Sequence, residues 1–369
     1  MRFLIVTHVQ HKAHNGKIYA YGPYVREMNL WFKHVDEVIV VAPLRNEAPT
    51  PIDEPYAKRV RFLRVPAFSL IGAKEIVKTL VKLPWIKMQI FRGMWAADHL
   101  HLRLPGNMGL LGSMMQTVFP HKPKTVKYAG NWDPQAPQPW SYRLQKKIVS
   151  SPLLTRNAKV LVYGKWPGQS RNIVPFFTAS YSEADKEPVD VRPLDPPLRA
   201  LFVGSLTEGK RPGLAVEAVG LLHKQGVDIH LDIYGDGPQR PKLEKLIAEK
   251  GLGKAVRLHG KQSAETVRRA YKQAHFLIFP SRSEGWPKVV AEAMWWKCLP
   301  ITTRVSAVPY MLDEGRRGSL VEPTAEAIAG EISEYLKNPA IYKQKAEAAA
   351  EWSRRFTLER FEREIAKLL

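Results

Sequence analysis

Short runs of branched and aromatic residues alternate along the chain with stretches whose apolar positions recur every three or four residues. A brief apolar run or a period of two predicts a strand, and a period near 3.6 predicts a helix. In the first half the predicted strands are Phe3–Val9, Glu37–Val41, Val60–Val65, His99–Leu102, Thr125–Ala129 and Val160–Val162, with a helix over Tyr21–Phe32. The second half repeats the alternation, with strands at Ala200–Val203, Ile229–Tyr234, Val256–His259, Phe276–Phe279, Leu299–Thr302 and Gly318–Val321. Helical patterns at Gly213–Gln225, Gln239–Lys250 and Ala264–Ala274 fill gaps between them. Strands separated by helices predict βαβ units on parallel sheets, an α/β fold.

From Glu183 to Leu198 the pattern stops in EADKEPVDVRPLDPPL, rich in Pro and charge. The expected organisation is therefore a first domain over 1–185, a linker over 186–198 and a second domain over 199–353. The terminal segment 354–369 is read as a last helix, and its likeness to the final segment of two-domain folds of this kind implies that it crosses back to the first domain. The 369 residues suit two doubly wound, Rossmann-like domains. Such sheets bind ligands beyond the carboxyl ends of their strands, so the expectation is two domains facing across a cleft.

Composition narrows the class. With 45% hydrophobic and 25% charged residues, the chain can bury enough apolar surface to offset the entropy of ordering. It contains no uncharged apolar run of about 18 residues, and Met1–Val9 reads as a strand, so neither a spanning helix nor a secretory signal is expected. One cysteine, Cys298, excludes an internal disulfide and fits a reducing, cytoplasmic setting. The formal charge of +21 is concentrated in residues 1–190, which hold 27 basic and 13 acidic side chains against 29 and 22 in the remainder. Such a field attracts phosphorylated substrates, an anionic membrane or nucleic acid.

The densest chemical signal is SRSEGWPKVVAEAM, residues 281–294, directly after a predicted strand. A strand-end loop and the first turn of a helix present free amides that suit a diphosphate, and Glu284 and Glu292 flank them as acceptors for sugar hydroxyls. This stretch resembles the retaining family 4 glycosyltransferases (glycosyl transferases group 1), two-domain enzymes of the GT-B fold. Their signature sets two glutamates seven residues apart in an S-x-x-E-G-[FW]-x-x-x-x-x-E-A-M context, and Ser281, Glu284, Gly285, Trp286, Glu292, Ala293 and Met294 fall on it.

The resemblance implies Glu284 and Lys210 as catalytic residues, and Arg103, which departs from the family pattern but follows a predicted strand and so is expected to face the cleft, completes the candidate catalytic set. Glu292 would bind the ribose, Glu284 the donor sugar, and backbone groups near Gly285, Trp286, Lys288 and Val289 the phosphates. In VGSLTEGKRP, residues 203–212, Lys210 keeps the place of a phosphate-neutralising lysine, while Ser205 replaces the usual arginine and Arg211 is the candidate substitute. Pro309 is kept in VSAVPY, where Ser306 and Ala307 replace a glycine pair.

In the first half, Gly16 in VQHKAHNGKIYAYGP takes the position of a glycine-containing phosphate loop, against the reading of a plain turn. ADHLHLRLPGN, residues 97–107, places His101 on the acceptor side and Arg103 where relatives carry a second histidine. Arginine cannot act as a base at neutral pH but can bind an anionic substrate; the alternative is a structural ion pair. Asn131, after the fifth strand, is a further acceptor-side candidate, against a turn cap. His11 and His14 lack a third ligand at a telling spacing, so no metal and no cofactor beyond the nucleotide-sugar are expected.

Residues 71–92 set Lys74, Lys78 and Lys82 four apart, followed by Lys87 and Arg92, with Pro84 expected to kink or end the helix. A basic amphipathic helix reads as a peripheral membrane element or as a solvated lysine face on an internally packed helix. The resemblance implies retaining transfer from a nucleotide-sugar, a UDP-sugar first and GDP-mannose second, to a hydroxyl of a glycan or lipid-linked acceptor in cell-surface glycan or glycolipid biosynthesis. The alternatives are a GT-B sugar-nucleotide epimerase and a basic polyanion- or membrane-binding protein. No nucleic-acid motif is present.

Overall fold

A computed structural model of the chain describes residues 1–68 and 73–369, the side chains of 73–78 excepted. The chain divides into two compact units, Met1–Phe176 with Glu362–Leu369, and Phe177–Phe361. The first begins with β1 (Arg2–Val6), β2 (His11–His14), β3 (Lys17–Tyr21), α1 (Gly22–Phe32), β4 (Glu37–Arg45), β5 (Asp53–Pro55) and β6 (Val60–Val65). It continues through α2 (Ala73–Ala96), β7 (His99–Leu104), α3 (Asn107–Met115), β8 (Lys124–Tyr128), α4 (Trp140–Ser150), β9 (Ala158–Tyr163) and β10 (Ile173–Phe176).

Its strands run in the order β10-β9-β8-β7-β1-β4-β2-β3-β5, with β6 also on β4. The β1, β4, β6, β7, β8, β9 and β10 pairings are parallel, as the alternation predicts. Leu4, Val41, Leu100, Leu102 and Val126 meet Ile86, Ile90 and Met94 of α2 in one apolar core. The stretch read as a glycine-containing loop is instead the hairpin of β2 and β3. Asn15 (φ 48°) and Gly16 (φ 71°) form its two-residue turn, a conformation that Asn-Gly favours.

Helix α2 runs through Pro84, so of the two expected outcomes the proline does not end the helix. Proline removes one amide donor, leaving the carbonyl of residue 80 short of a partner, and Leu80 is exposed, so water can serve that carbonyl. Lys74 and Lys78 of the expected lysine face lie outside the described side chains. No helix among the described residues is long and apolar enough to cross a membrane.

The second unit holds β11 (Leu198–Val203), α5 (Pro212–Lys224), β12 (Ile229–Tyr234), α6 (Arg240–Glu249), β13 (Val256–Gly260), α7 (Ala264–Gln273) and β14 (Phe276–Phe279). After these come α8 (Lys288–Trp295), β15 (Leu299–Thr303), α9 (Val308–Met311), β16 (Ser319–Val321), α10 (Ala325–Lys337), α11 (Pro339–Ser353) and α12 (Leu358–Ala366). Its sheet is parallel throughout, in the order β13-β12-β11-β14-β15-β16. Residues 186–198, expected as a linker, belong to this unit. Arg192 donates to the carbonyls of Lys272 (2.7 Å) and Trp296 (3.1 Å), and Glu187 pairs with Lys272 at 2.7 Å. Cys298 is sealed in its interior, and burial pushes the thiol up to about 12. Within α12 the chain passes from the second unit to the first, where Glu362 pairs with Lys33 at 2.7 Å.

Candidate active site

Strand β11 lies between β12 and β14, so connections leave its two sides in opposite directions and the carboxyl end of β11 is a topological switch point. Two loops meet there, Gly204–Arg211 after β11 and 280–287 after β14. The Arg282 amide donates to the Gly209 carbonyl at 2.8 Å, and the Ser281 hydroxyl reaches the same oxygen at 3.4 Å. Through this contact the Lys210 ammonium is ion-paired with the Glu284 carboxylate. Glu284 is nearly enclosed while Lys210 keeps part of its surface open, and its Nζ lies 5.0 Å from the Phe279 ring centroid.

Arg211 follows with φ 52° and ψ 47°, its backbone forming the N-cap of α5. Partial burial, then the charge of Arg282, holds its guanidinium below the ordinary value. Lys210, Arg211 and Arg282 gather positive charge at this end of the sheet, offset in part by Glu284 and by Glu208, which lies 3.4 Å from Arg282; like charges held close together favour an anion beside them. Helix α8 begins beside them at Lys288 and Val289, and no side chain caps its N-terminus. Its first amides and its dipole add to the same preference. Ser205, exposed in the β11 loop, contributes no cation.

The loops are braced by residues the sequence reading did not assign. Thr302 and Thr303 donate their hydroxyls to the carbonyls of Phe279 (2.7 Å) and Ser281 (2.5 Å). Ser306 donates to the Gly285 carbonyl at 3.2 Å from a left-handed backbone, φ 51°, which explains why glycine suits that position. At Gly235 (φ 139°) a Cβ would lie 1.8 Å from the Gly204 carbonyl oxygen, so the β12 loop can support the β11 loop only without a side chain. The YGDG run at 234–237 was the available signal.

Glu292 lies on α8 and is engaged separately from Glu284. It accepts hydrogen bonds from the Ser180 hydroxyl (2.6 Å) and the Tyr271 hydroxyl (3.4 Å). Burial, and secondarily the Glu292 charge, pushes the Tyr271 phenol well up. The Trp286 ring is buried against Trp352, 6.0 Å between centroids, and against Phe356, so this side chain is a packing anchor.

In the first unit the predicted residues fall differently. His101 is fully enclosed mid-strand in β7, 4.6 Å from the Trp31 ring and 2.8 Å from the Thr125 hydroxyl, and burial holds it well below the usual histidine range. That corrects its expected place on the acceptor side: it is core. Arg103 is ion-paired with Glu27, whose carboxylate lies 3.1 Å from Lys127 Nζ, and its guanidinium sits 5.0 Å from the Tyr24 ring. The ion-pair alternative describes it. Asn131 accepts from the Asp133 amide at 2.9 Å, a turn cap, and Gly16 is a hairpin turn.

A cavity of about 490 Å3 lies in the second unit beside Arg317 and Trp352, and one of about 450 Å3 in the first. The latter opens at the carboxyl ends of β1, β4 and β7, with His8, Gln10, Asn107, Trp140 and Tyr142 in its wall. Gly106 (φ 152°) forms part of it, where a Cβ would lie 2.7 Å from the His8 ring. The sequence pattern assigns none of these residues to a site: His8, Gln10 and Gly106 lie in loops after strands, and Asn107, Trp140 and Tyr142 lie in the first turns of α3 and α4.

Residues 185–352 match the family model described as glycosyl transferases group 1. The chain is 31% identical over 163 residues to an alpha-D-kanosaminyltransferase of Streptomyces kanamyceticus, covering 44% of this chain and 41% of that protein. It is 28% identical over 182 residues to a putative colanic acid biosynthesis glycosyltransferase of Salmonella typhimurium, covering 47% and 45%. The matches thus span less than half the length of each relative. Anabaena Alr3699/HepE, solved in complex with UDP-glucose, superposes with a TM-score of 0.69 at 13% identity over 100% of this chain and 98% of that one, a likeness of fold.

Proposed function

We propose that this chain, whose residues 185–352 match the family model of glycosyl transferases group 1 and whose two Rossmann-like domains have the GT-B fold, moves a sugar from a nucleotide-sugar donor to an acceptor hydroxyl. The observation that carries this is the Lys210–Glu284 pair beside the uncapped start of α8 at the switch point of the second sheet. Lys210 and Arg211 neutralise the departing diphosphate, and Glu284 accepts hydroxyls of the donor sugar. Glu292 exchanges its bonds from Ser180 and Tyr271 for the ribose.

The reaction retains the anomeric configuration. The bond from the anomeric carbon to the phosphate oxygen breaks, the acceptor oxygen bonds on the same face, and the acceptor proton passes to the departing phosphate. Positioning and charge stabilisation carry the rate, with no metal required for transfer. A UDP-sugar is the first candidate donor, supported by the UDP-glucose held by the Anabaena protein, with GDP-mannose second. The acceptor belongs to a cell-surface glycan or glycolipid, in line with the colanic acid relative.

Thermal unfolding against UDP, GDP and ADP tests the donor site, for the parent and for Glu292→Ala. A nucleotide at about 100 times its Kd adds about 2.7 kcal/mol of stability. One nucleotide should stabilise the parent and fail to stabilise the variant. A parent indifferent to all three would overturn the reading.

A further inference from the structure

Helix α2 is apolar on both sides. One side is spent on the core, with Ile86, Ile90 and Met94 fully enclosed. The other presents Val81, Trp85, Met88, Phe91 and Trp95 to solvent, three or four residues apart and therefore in one stripe. Val81 is 80% exposed and Trp95 71%. Contiguous apolar surface of this kind marks an interaction site, whereas scattered exposed apolar residues do not. The stripe continues off the helix: Phe91 packs 5.4 Å from Phe119, next to the 3-10 turn Gln116–Val118, whose Val118 is also exposed.

Charge selects the partner. Lys87 and Arg92 are exposed on the same helix, and between Thr79 and Ala97 the sequence has no Asp or Glu. Asp98, just past the helix, is taken up by Arg2 at 2.7 Å. A second copy of the chain is a poor match, because a two-fold contact sets the same patch against itself and brings both pairs of cations together. Tryptophan, with a broad apolar ring and one polar edge, favours the boundary between acyl chains and headgroups, and flanking cations favour anionic phosphate.

We propose that the outer face of α2 docks on an anionic lipid bilayer, with Trp85, Met88, Phe91 and Trp95 at the acyl boundary and Lys87 and Arg92 at the headgroup phosphates. The surface is distinct from the donor site and stands independently of the transfer reading.

Co-sedimentation of the full chain with vesicles of phosphatidylcholine, alone or mixed with phosphatidylglycerol, tests it. The parent should pellet with the anionic vesicles and stay in solution with the neutral ones. Trp85→Ser with Trp95→Ser should abolish pelleting. K87Q with R92Q should weaken it about 30-fold, each cation near an anionic surface contributing a factor of about five. Both double variants should keep the parent's unfolding midpoint and its nucleotide-dependent shift, which separates this result from the fate of the donor site. Failure of the parent to bind anionic vesicles would overturn the proposal, as would binding unchanged in both variants. So would a dimer in sedimentation velocity that the tryptophan variant dissolves, since that assigns the face to a second copy.

Discussion

Lys210 and Glu284 hold opposite charges against each other in a loop junction where neither is wholly hydrated. Removing one partner leaves the other short of compensation, whereas removing both charges does not. Lys210→Met should therefore lower stability by about 1–3 kcal/mol in urea unfolding. Adding Glu284→Gln to it should restore most of that loss. Sugar transfer should stay at least about 100-fold down in both variants, since the cation facing the leaving group is absent from each. Recovery of transfer in the double variant would show that the pair is structural only.

A helix ends in carbonyls that need donors, and one side chain serves several of them at the end of α2 and just past it. Lys122 donates to the carbonyls of Met94 (2.7 Å), Trp95 (2.8 Å) and Ala97 (2.6 Å), placing a cation at the negative end of the helix. Lys122→Ala should cost about 1–3 kcal/mol, read as a lower thermal midpoint. An unchanged midpoint would show that water replaces the ammonium without loss. Much at this scale was legible in the sequence: Val60–Val65, Ile229–Tyr234 and Phe276–Phe279 are read to the residue, IHLDIY from its alternation of apolar and polar positions, FLIF from its unbroken apolar run and VRFLRV from its branched and aromatic residues. The second-unit loops were legible through their motif. What escaped notice lacks an apolar period: β2 reads HKAH, β5 reads DEP, and β10 contains Pro175, tolerated because the strand is at the sheet edge. His101 was misplaced because β7 runs to Leu104, two residues past its expected end, which makes a strand-end residue an interior one.

For the molecule as a whole, stability depends on histidines kept neutral. Burial lowers His11 to about 4, partly offset by its bond to the Val9 carbonyl. Burial, then the charges of Lys124 and Lys159, lowers His99 to about 4 as well. From about pH 6.5 down to about 4 the unfolded chain binds protons that the folded chain refuses, so stability falls as pH falls, by up to about 1.4 kcal/mol per pH unit per histidine. The urea midpoint should drop between pH 7 and pH 5, and His11→Gln should flatten that slope. A parent midpoint level across this range would refute the linkage.

Cys298 is the one thiol in 369 residues, and it is shut away from solvent and reluctant to ionise. Thiol-directed dyes attack thiolates, so the unaltered chain is a silent background for site-specific labelling. A cysteine introduced at Met88 would carry a single fluorophore, and the colour of its emission would report whether that face of the helix is in water or in hydrocarbon, in real time and without separating bound protein from free.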